Sequence, residues 1–232
     1  MNDKLHTWNL TPKEAVALQR DLYEQLHTSL TLGQPSQIAG VDVAYIRETG
    51  ESVATVAVLG FPDLRLLDSA TAQVETPFPY IPGLLSFREI PPILEAFRLL
   101  STPFDLVFVD GHGKAHPRRM GIASHLGLWL EKPTIGIGKS LLCGAYEEPG
   151  AEKGCTSDLK DKGELVGTVL RTRTGVKPVF VSVGYGIPLN HCVSMTLKAT
   201  SKYRLPEPIR FADRLAAQNK RSAGRLDHPA DQ

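Results

Sequence analysis

The chain has 232 residues, of which 42% are hydrophobic and 22% are charged, a composition typical of one large globular domain or, less often, two small ones. Lysine and arginine total 26 against 25 aspartate and glutamate, so the overall charge neither indicates nor excludes a polyanionic partner. The three cysteines form no C-x-x-C pair and no zinc set, which predicts reduced thiols. With no export signal and no long apolar run, we expect a cytoplasmic protein without a membrane partner.

The first predicted element is a helix that begins after Thr11. Thr11 and Glu14 have the spacing of a capping box, and Pro12 suits the first helical turn. The helix is predicted to end near Gly33. Its buried face is indicated by apolar residues at helical spacing, namely Ala15, Leu18, Leu22 and Leu26.

Three strands in succession are predicted over residues 38–45, 52–60 and 66–75. Their short connections favour an antiparallel meander. Asp42 lies inside the first of these strands, where burial of an unpaired carboxylate is costly. We therefore expect a cation or strong hydrogen bonds at Asp42, with an edge strand as the alternative.

A proline-rich loop over residues 76–83 follows the meander. Its prolines are incompatible with a helix or a central strand, so the loop is expected to be stiff and nearly extended. Tyr80 on this loop has two open interpretations. Its ring is either a wedge that binds a partner or an aromatic that packs back onto the core.

The next helix is predicted to begin at Ser86. Prolines are tolerated in the first turn of a helix, so Pro91 and Pro92 place Glu89 at or just before the helix start. The helix dipole favours an acid there, and a capping role is therefore the alternative to a functional role for Glu89.

An unbroken apolar run over residues 106–109 predicts a strand that is buried on both faces of a largely parallel sheet. Asp110 ends this run, and Gly111 allows close approach of the backbone to a ligand. Ligands bind at the carboxyl ends of the strands in open α/β sheets, so Asp110 is a candidate site residue. A cap of a nearby turn is the alternative.

The remaining elements follow in a regular order. A helix over 122–130 and a strand over 133–138 predict a parallel crossover that delivers Lys139. Residues 147–163 are predicted as a surface loop, followed by strands over 165–171 and 178–183 and helices over 191–202 and 208–217. One domain is expected over 1–217, and the polar residues 218–232 are predicted to be a disordered tail.

The predicted topology can bring three acids together, namely Asp42, Glu89 and Asp110. Adjacent carboxylates cannot all stay ionised near neutral pH unless a cation lies between them, and hard oxygen ligands favour Mg²⁺ or Mn²⁺. The chemistry indicated is attack of metal-activated water on a phosphodiester. Phosphate oxygens could then be bound by nearby cations, namely Lys139, Arg118 and Arg119.

Several motifs together resemble those of one known family. Residues 79–89 read PYIPGLLSFRE, residues 107–113 read VFVDGHG and residues 116–119 read HPRR. With IAGVDV at 38–43 and YRLPEP at 203–208, they resemble endonuclease V, a family of deoxyinosine-specific repair nucleases with a ribonuclease H-like fold. The resemblance covers nearly the whole chain except its two ends.

The resemblance implies an α/β fold with a mixed sheet, in which an antiparallel meander is followed by parallel strands and flanked by helices. It also implies that Asp42 and Asp110 ligate a catalytic Mg²⁺ directly, that Glu89 assists through water, and that Lys139 stands near the scissile phosphate. Some family members have a histidine in the region of Asp213. Asp213 is therefore either a further metal ligand or an exposed helix residue.

The resemblance further implies the residues that bind the substrate. The wedge that fills the gap left by a flipped base would consist of Pro79, Tyr80, Ile81 and Pro82. Arg118 would contact the substrate strand. The pocket for hypoxanthine would be lined by small and apolar residues and one histidine, namely Gly83, Leu85, Gly111, His116 and Gly121.

The implied reaction is cleavage of the second phosphodiester 3′ of deoxyinosine, leaving 3′-hydroxyl and 5′-phosphate ends. The DNA could be double- or single-stranded, and inosine-containing RNA is a further possible substrate. Two alternatives stay open. One is another ribonuclease H-like nuclease, which cleavage of different substrates side by side would reveal; the other is a nucleic-acid binding module, which would bind without metal-dependent cleavage. The sequence carries no signal for an oligomeric state.

Overall fold

A computed structural model describes residues 1–26, 33–76 and 78–226 of the chain. Five helices and eight strands are found in these residues. In chain order they are α1 (Pro12–Tyr23), β1 (Gln37–Ile46), β2 (Glu51–Gly60), β3 (Leu66–Glu75), α2 (Leu85–Arg98), β4 (Leu106–Asp110), α3 (Ile122–Leu130), β5 (Thr134–Gly138), β6 (Thr156–Asp161), β7 (Glu164–Leu170), β8 (Val179–Tyr185), α4 (Leu189–Lys198) and α5 (Glu207–Leu226).

All eight strands form one mixed sheet in the order β3-β2-β1-β4-β5-β8-β7-β6. The strands β3, β2 and β1 are antiparallel neighbours, whereas β1, β4 and β5 are parallel to one another. Beyond β5, the strands β8, β7 and β6 pair in antiparallel fashion. The predicted meander followed by parallel strands is thereby confirmed.

The central strand β4 is buried on both faces, as its unbroken apolar run predicts. Val107 and Val109 pack in a cluster with residues of α2 and α3, and Leu106 and Phe108 pack in a second cluster with residues of α4 and α5. Helices therefore cover both faces of the sheet. Burial of these apolar side chains fixes the position of β4 and therefore that of Asp110 at its carboxyl end.

Helix α5 lies directly against β1 at Gly40. A Cβ atom at this position would lie 2.1 Å from the carbonyl carbon of Pro208 and 2.6 Å from the amide nitrogen of Ile209. The absence of a side chain at Gly40 thus permits the backbones of the strand and the helix to touch. This contact fixes the position of α5 relative to the end of the sheet that carries Asp42 and Asp110.

Helix α1 has the predicted capping box, in which Glu14 Oε2 accepts from the Thr11 amide at 2.7 Å and the Glu14 amide donates to Thr11 Oγ1 at 3.3 Å. The helix ends at Tyr23, so the predicted end near Gly33 is wrong. Leu26 contacts the apolar cluster from a turn, which is why the apolar pattern continues past the helix. Residues 27–32 of the predicted helix lie outside the described residues.

Helix α2 differs from its prediction. It begins at Leu85 and continues through Pro91 and Pro92, so these prolines lie inside the helix and Glu89 is not at its start. The alternative that Glu89 caps the helix is therefore wrong. Each proline removes one N–H from the helical hydrogen bonds, and the burial of apolar side chains on both sides of the pair keeps the helix continuous.

The C-terminal half contains further corrections. Strand β6 lies within residues 147–163, which were predicted as a loop; as an edge strand whose one buried apolar side chain is Leu159, it has little apolar signal. Helix α4 spans 189–198 rather than 191–202. Helix α5 continues past the predicted end at 217 to Leu226, because residues 218–226 include several good helix formers.

Helix α5 thus contains the first part of the predicted disordered tail, and residues 227–232 lie outside the described residues. The boundary of the single predicted domain at residue 217 stays a prediction. Within the described residues, all three cysteines are free, and none of the helices is long and apolar enough to cross a membrane.

The contact at Gly40 yields a prediction about stability. We expect Gly40→Ala to lower the free energy of unfolding by roughly 1 to 3 kcal/mol, because the added methyl group must push the α5 backbone away from β1. Urea unfolding followed by circular dichroism measures this change. Gly33→Ala is the matched control, since no heavy atom of the described residues beyond Gly33 and its chain neighbours lies within 4 Å of a Cβ built there. Equal stability of both variants would contradict the prediction.

Candidate active site

The parallel pairing of β1 and β4 places two acids side by side. Val41 lies opposite Val109 in the register, so Asp42 and Asp110 follow on adjacent strands. Glu89 of α2 approaches the same point from the helix layer, and all three acids line one pocket of about 180 Å³. The remaining walls of this acidic pocket are apolar, namely Val41, Val43, Leu85, Ile93, Val109 and Ile122.

Two of the carboxylates in the acidic pocket, Asp42 and Glu89, resist ionisation. Burial raises the pKa of Asp42 to about 6, with further contributions from the charges of Asp213 and Asp110 and an opposing one from Lys139. Burial also raises the pKa of Glu89 to about 8, helped by the charges of Asp42 and Asp110. Near neutral pH, the fully ionised set therefore requires added positive charge.

Lys139 supplies one positive charge at the end of β5. Its Nζ forms an ion pair with Asp110 Oδ2. Burial lowers the pKa of Lys139, but the hydrogen bond and charge of Asp110 outweigh burial and raise the pKa overall. The backbone at Lys139 is held as well, because Arg204 Nη2 donates to the Lys139 carbonyl at 2.6 Å and to the Pro178 carbonyl at 2.7 Å.

The donor set fits a hard cation by its chemistry. Within residues 1–26, 33–76 and 78–226, no three Asp, Glu, His or Cys side chains form a ready cage for a metal ion. Asp42 and Asp110 nevertheless offer adjacent carboxylates whose mutual repulsion a divalent cation would relieve. Mg²⁺ commonly retains water and takes one or two protein carboxylates, so two direct acids with a third acting through water suit it.

Asp213 lies on α5, and its side chain is exposed. Its charge nevertheless acts on both Asp42 and Lys139, so it lies near the acidic pocket although it does not line it. The structure therefore agrees with either role considered for Asp213, a further ligand or an exposed helix residue. The backbone contact at Gly40 is what brings α5 close enough for this interaction.

A second pocket, of about 160 Å³, adjoins the acidic one. The two pockets share Leu85 and Ile122 as walls. We call the second one the base pocket. Most of the predicted substrate-binding residues line it, namely Tyr80, Ile81, Pro82, Gly83, Leu85, Gly111, His116 and Gly121.

The proline-rich loop presents an exposed aromatic ring. Tyr80 is 66% exposed, so the alternative in which its ring packs on the core is wrong. Phe78 takes the packing role instead and contacts Phe87. Pro79 is exposed on the same loop, and residue 77 lies outside the described residues.

The carbonyl oxygen of Gly83 fixes the end of this loop. It accepts hydrogen bonds from Arg118 Nη2 at 2.6 Å, Gln19 Nε2 at 3.0 Å and His116 Nε2 at 3.1 Å. Gly83 has φ +79°, a left-handed conformation that glycine adopts without strain. The loop is therefore anchored by donors from two other segments of the chain.

Arg118 and His116 have structural tasks that the sequence did not reveal. Arg118 Nε donates to Gln19 Oε1 at 2.5 Å, so this guanidinium supports the loop instead of projecting freely toward a phosphate. Burial, and then the charge of Arg118, lower the pKa of His116 to about 4. His116 is thus neutral at pH 7, with Nδ1 accepting from the Arg118 amide at 3.2 Å.

Arg119 does not reach the acidic pocket. Its guanidinium forms ion pairs with Asp161 at 2.8 Å and Glu164 at 2.7 Å and donates to the His116 carbonyl at 2.9 Å. The interpretation of Arg119 as a phosphate ligand is therefore unsupported.

Two residues with clear positions at the site were missed from the sequence. Gln19 lies on the buried face of α1 between Ala15 and Leu22, and a polar residue within an apolar stripe was a signal for it. Arg204 lies in the YRLPEP motif, but no local pattern indicates that its partner is the carbonyl of Lys139.

Comparisons with known proteins identify the family. A sequence model of the family described as Endonuclease V matches residues 20–214. The chain belongs to the endonuclease V family. An endonuclease V of Trichormus variabilis is 50% identical over 213 residues, which cover 91% of this chain and 96% of that protein.

Solved structures of endonuclease V share the fold. The Streptomyces avermitilis structure has a TM-score of 0.89 and 44% identity and covers 94% of this chain and 96% of its own. The Ciona intestinalis endonuclease V, in complex with a 23mer DNA containing an inosine followed by a ribo-adenosine, has a TM-score of 0.82 and 27% identity over 92% of this chain and 100% of its own. The predicted ribonuclease H-like fold and endonuclease class are thereby confirmed.

The raised pKa of Glu89 predicts how stability changes with pH in the absence of divalent cations. The folded protein keeps this proton up to about pH 8, whereas an unfolded chain loses it near 4.5, the ordinary pKa of a glutamate. The folded state therefore binds more protons in this window, and its stability falls as the pH rises. The histidines whose pKa burial lowers act in the opposite direction while they titrate near pH 6.5 in the unfolded chain. Between pH 7.5 and 8.5, above most of that titration, we expect Glu89 to contribute a loss of roughly 0.7 kcal/mol.

Thermal unfolding in EDTA at several pH values measures this slope. Glu89→Gln removes the titrating group and should flatten the slope. Glu95→Gln, on an exposed part of the same helix, is the matched control and should keep the wild-type slope. A Tm that rises from pH 7.5 to 8.5, or an unchanged slope in Glu89→Gln, would show that Glu89 is not the responsible group.

Proposed function

We propose that this endonuclease V recognises deoxyinosine in DNA and hydrolyses the second phosphodiester bond on the 3′ side of the lesion, leaving 3′-hydroxyl and 5′-phosphate ends. The observation that carries the proposal is the common wall of the two pockets. Leu85 and Ile122 separate a carboxylate-lined pocket from an adjoining pocket beneath an exposed tyrosine. A flipped base and the nearby backbone of the same strand can therefore occupy both at once.

Asp42 and Asp110 would hold a divalent cation, Mg²⁺ or its substitute Mn²⁺, with Glu89 contributing through water and Asp213 as a possible further ligand. When bound, the cation supplies activation of water and charge stabilisation at the leaving oxygen. Burial of Asp42 and Glu89 strengthens their electrostatic interactions at this site. The apolar walls around the acids limit access of bulk water.

Lys139 is placed to bind a phosphate oxygen of the scissile group. Its ammonium already pairs with Asp110, and the hydrogen bond from Arg204 fixes its backbone, so the charge is held at the edge of the acidic pocket. When substrate is present, the ammonium can donate one hydrogen bond to the phosphate while it keeps another to Asp110.

Tyr80 would occupy the space that the lesion base leaves in the duplex. Its ring is exposed on a stiff loop, so inserting it costs little conformational entropy. Hypoxanthine pairs less stably than the normal bases, which lowers the energy needed to extrude it. The glycines that line the base pocket would exclude bases with larger exocyclic groups.

Inosine in RNA is a second candidate substrate. The Ciona intestinalis relative binds a DNA in which a ribo-adenosine follows the inosine, so a ribose is accommodated next to the lesion in that protein. Cleavage of a matched inosine-containing RNA, beside the deoxyinosine DNA, tests whether this chain accepts ribose throughout the strand.

We expect an end-labelled duplex with one deoxyinosine to be nicked one nucleotide beyond the lesion on its 3′ side with Mg²⁺ and to stay intact with EDTA. Asp42→Ala and Asp110→Ala should each reduce cleavage by at least about 10³-fold, because each removes a carboxylate from the cation site. Lesion binding measured by fluorescence anisotropy should be retained.

An undamaged duplex of the same sequence is the control for lesion recognition. Equal cleavage of both duplexes would agree with the proposed metal site but would contradict a role of the base pocket in lesion recognition. Binding of the lesion without any metal-dependent nick would contradict the enzymatic proposal for this chain.

Tyr80→Ala tests the wedge. We expect the Kd for the deoxyinosine duplex to rise by an amount equivalent to roughly 1 to 3 kcal/mol, because stacking of the ring on a base is lost. Leu99→Ala removes another exposed apolar side chain, at the far end of α2, and should leave the Kd unchanged. If the Kd of Tyr80→Ala equals that of the wild type, the ring does not stack on a base.

A further inference from the structure

Two neutral histidines link the N-terminal segment to the base pocket through a continuous set of hydrogen bonds. His6 Nδ1 lies 2.8 Å from the Thr7 carbonyl, and His6 Nε2 lies 2.7 Å from His125 Nε2. His125 Nδ1 lies 3.0 Å from Ser86 Oγ. Trp129 Nε1 donates to His6 Nε2 at 3.2 Å. His125 and Ser86 are both buried, so water does not compete for the bond between them.

The partners determine where each proton lies. The Thr7 carbonyl can only accept, so His6 Nδ1 carries a proton and donates it. Burial lowers the pKa of His6 and of His125, so each imidazole is neutral at pH 7 and has a single N–H. His6 Nε2 is consequently an acceptor, which agrees with the bond that it receives from Trp129.

The same reasoning fixes the direction of the hydrogen bond at Ser86. Because His6 Nε2 accepts, His125 Nε2 must donate, and His125 Nδ1 is left as an acceptor. The hydroxyl of Ser86 therefore donates its one proton to His125. Any further hydrogen bond of this oxygen can only be accepted from a donor.

The rings of this network are held by packing. Trp8 meets His6 edge-on with centroids 4.6 Å apart, and Phe87 meets His125 edge-on with centroids 5.1 Å apart. Rotation of either imidazole would break these contacts as well as the hydrogen bonds. The orientation of the Ser86 hydroxyl is therefore set by residues that do not touch the base pocket.

Ser86 itself lines the base pocket. An accepting Ser86 Oγ at this wall would distinguish purines by the atom at position 1. Hypoxanthine has an N–H at N1 and can donate to Ser86, whereas adenine and unsubstituted purine have a lone pair at N1. A lone pair facing a fixed acceptor leaves both groups without a partner, which a buried polar site strongly disfavours.

We propose that Ser86 is a specificity-determining residue that accepts a hydrogen bond from the N1–H of a 6-oxopurine, and that His125 and His6 are positioning residues that hold its hydroxyl in the accepting orientation. The proposal rests on the proposed function, because it concerns the base that the pocket receives. It adds a reason for rejection of adenine that pocket size alone does not provide.

The test compares deoxyinosine with deoxynebularine, whose purine base lacks both the 6-oxo group and the N1 proton, at the same position in one duplex. The preference is the ratio of the two values of kcat/KM, so differences in duplex stability cancel between variants. In Ser86→Ala we expect the preference to fall about tenfold through slower cleavage of deoxyinosine, as for loss of one buried hydrogen bond.

His6→Phe should lower the preference in a different way. Without its acceptor, His125 can carry its proton on Nδ1, and the Ser86 hydroxyl becomes free to donate to the N1 lone pair of nebularine. We therefore expect faster cleavage of deoxynebularine in His6→Phe. A structural effect alone would slow both substrates together.

Ser124→Ala is the matched control, because Ser124 is also a buried serine but its hydroxyl has no hydrogen-bond partner among the described residues and does not line the base pocket. This variant should keep the wild-type preference. The tautomer of His125 is measured separately from imidazole ¹⁵N chemical shifts of the whole protein, and we expect the proton on Nε2.

A wild-type preference in both Ser86→Ala and His6→Phe would overturn the proposal, as would a proton on Nδ1 of His125. Either result would leave the proposed function intact as long as the wild type cuts the deoxyinosine duplex. If the wild type does not cut that duplex at all, the proposed function fails and the specificity proposal fails with it.

Discussion

Repulsion among partly buried carboxylates is the constraint on which the rest of the site depends. Asp42, Glu89 and Asp110 lie around one small pocket, and burial together with their mutual charge favours protonation of Asp42 and Glu89. Such an arrangement costs free energy in the isolated protein. Lys139 already supplies positive charge, and a metal ion bound at the acids would supply more and offset this cost. The fold therefore holds the acids in an arrangement that favours the binding of cations.

The sheet and one helix contact impose this arrangement. The parallel register of β1 and β4 brings two acids to adjacent strands, and the apolar residues on both faces of β4 prevent a shift of that register. The close approach of α5 at Gly40 adds the charge of Asp213 from the other side. A change in any one of these contacts would alter the spacing of charges as well as the stability of the fold.

Much of the fold could be predicted from the sequence because its signals are local. Apolar runs, turns and the capping box at Thr11 each depend on neighbouring residues, and these elements were confirmed. Two features were predicted wrongly: the prolines inside α2 were placed in its first turn, and the weakly apolar edge strand β6 was assigned to a loop. Tertiary packing decides the first and strand pairing the second. Local patterns carry no information about such contacts.

The site was predictable in the identity of its acids and less so in the roles of its basic residues. Asp42 and Asp110 were conspicuous because acids are unusual in or next to buried strands. A basic loop indicates phosphate binding, yet Arg118 supports a backbone carbonyl and Arg119 pairs with Asp161. Their partners lie far away in sequence, and only the folded chain shows which charges are already paired.

The anchored end of the proline-rich loop has a mechanical consequence. Three donors from separate side chains hold the Gly83 carbonyl, so the loop that presents Tyr80 is braced against the body of the protein. When such a rigid projection meets a duplex, the nucleic acid must bend and open around it. The rate at which the protein finds a lesion would then depend on how often weak base pairs open spontaneously. The neighbouring sequence of the DNA would influence this rate.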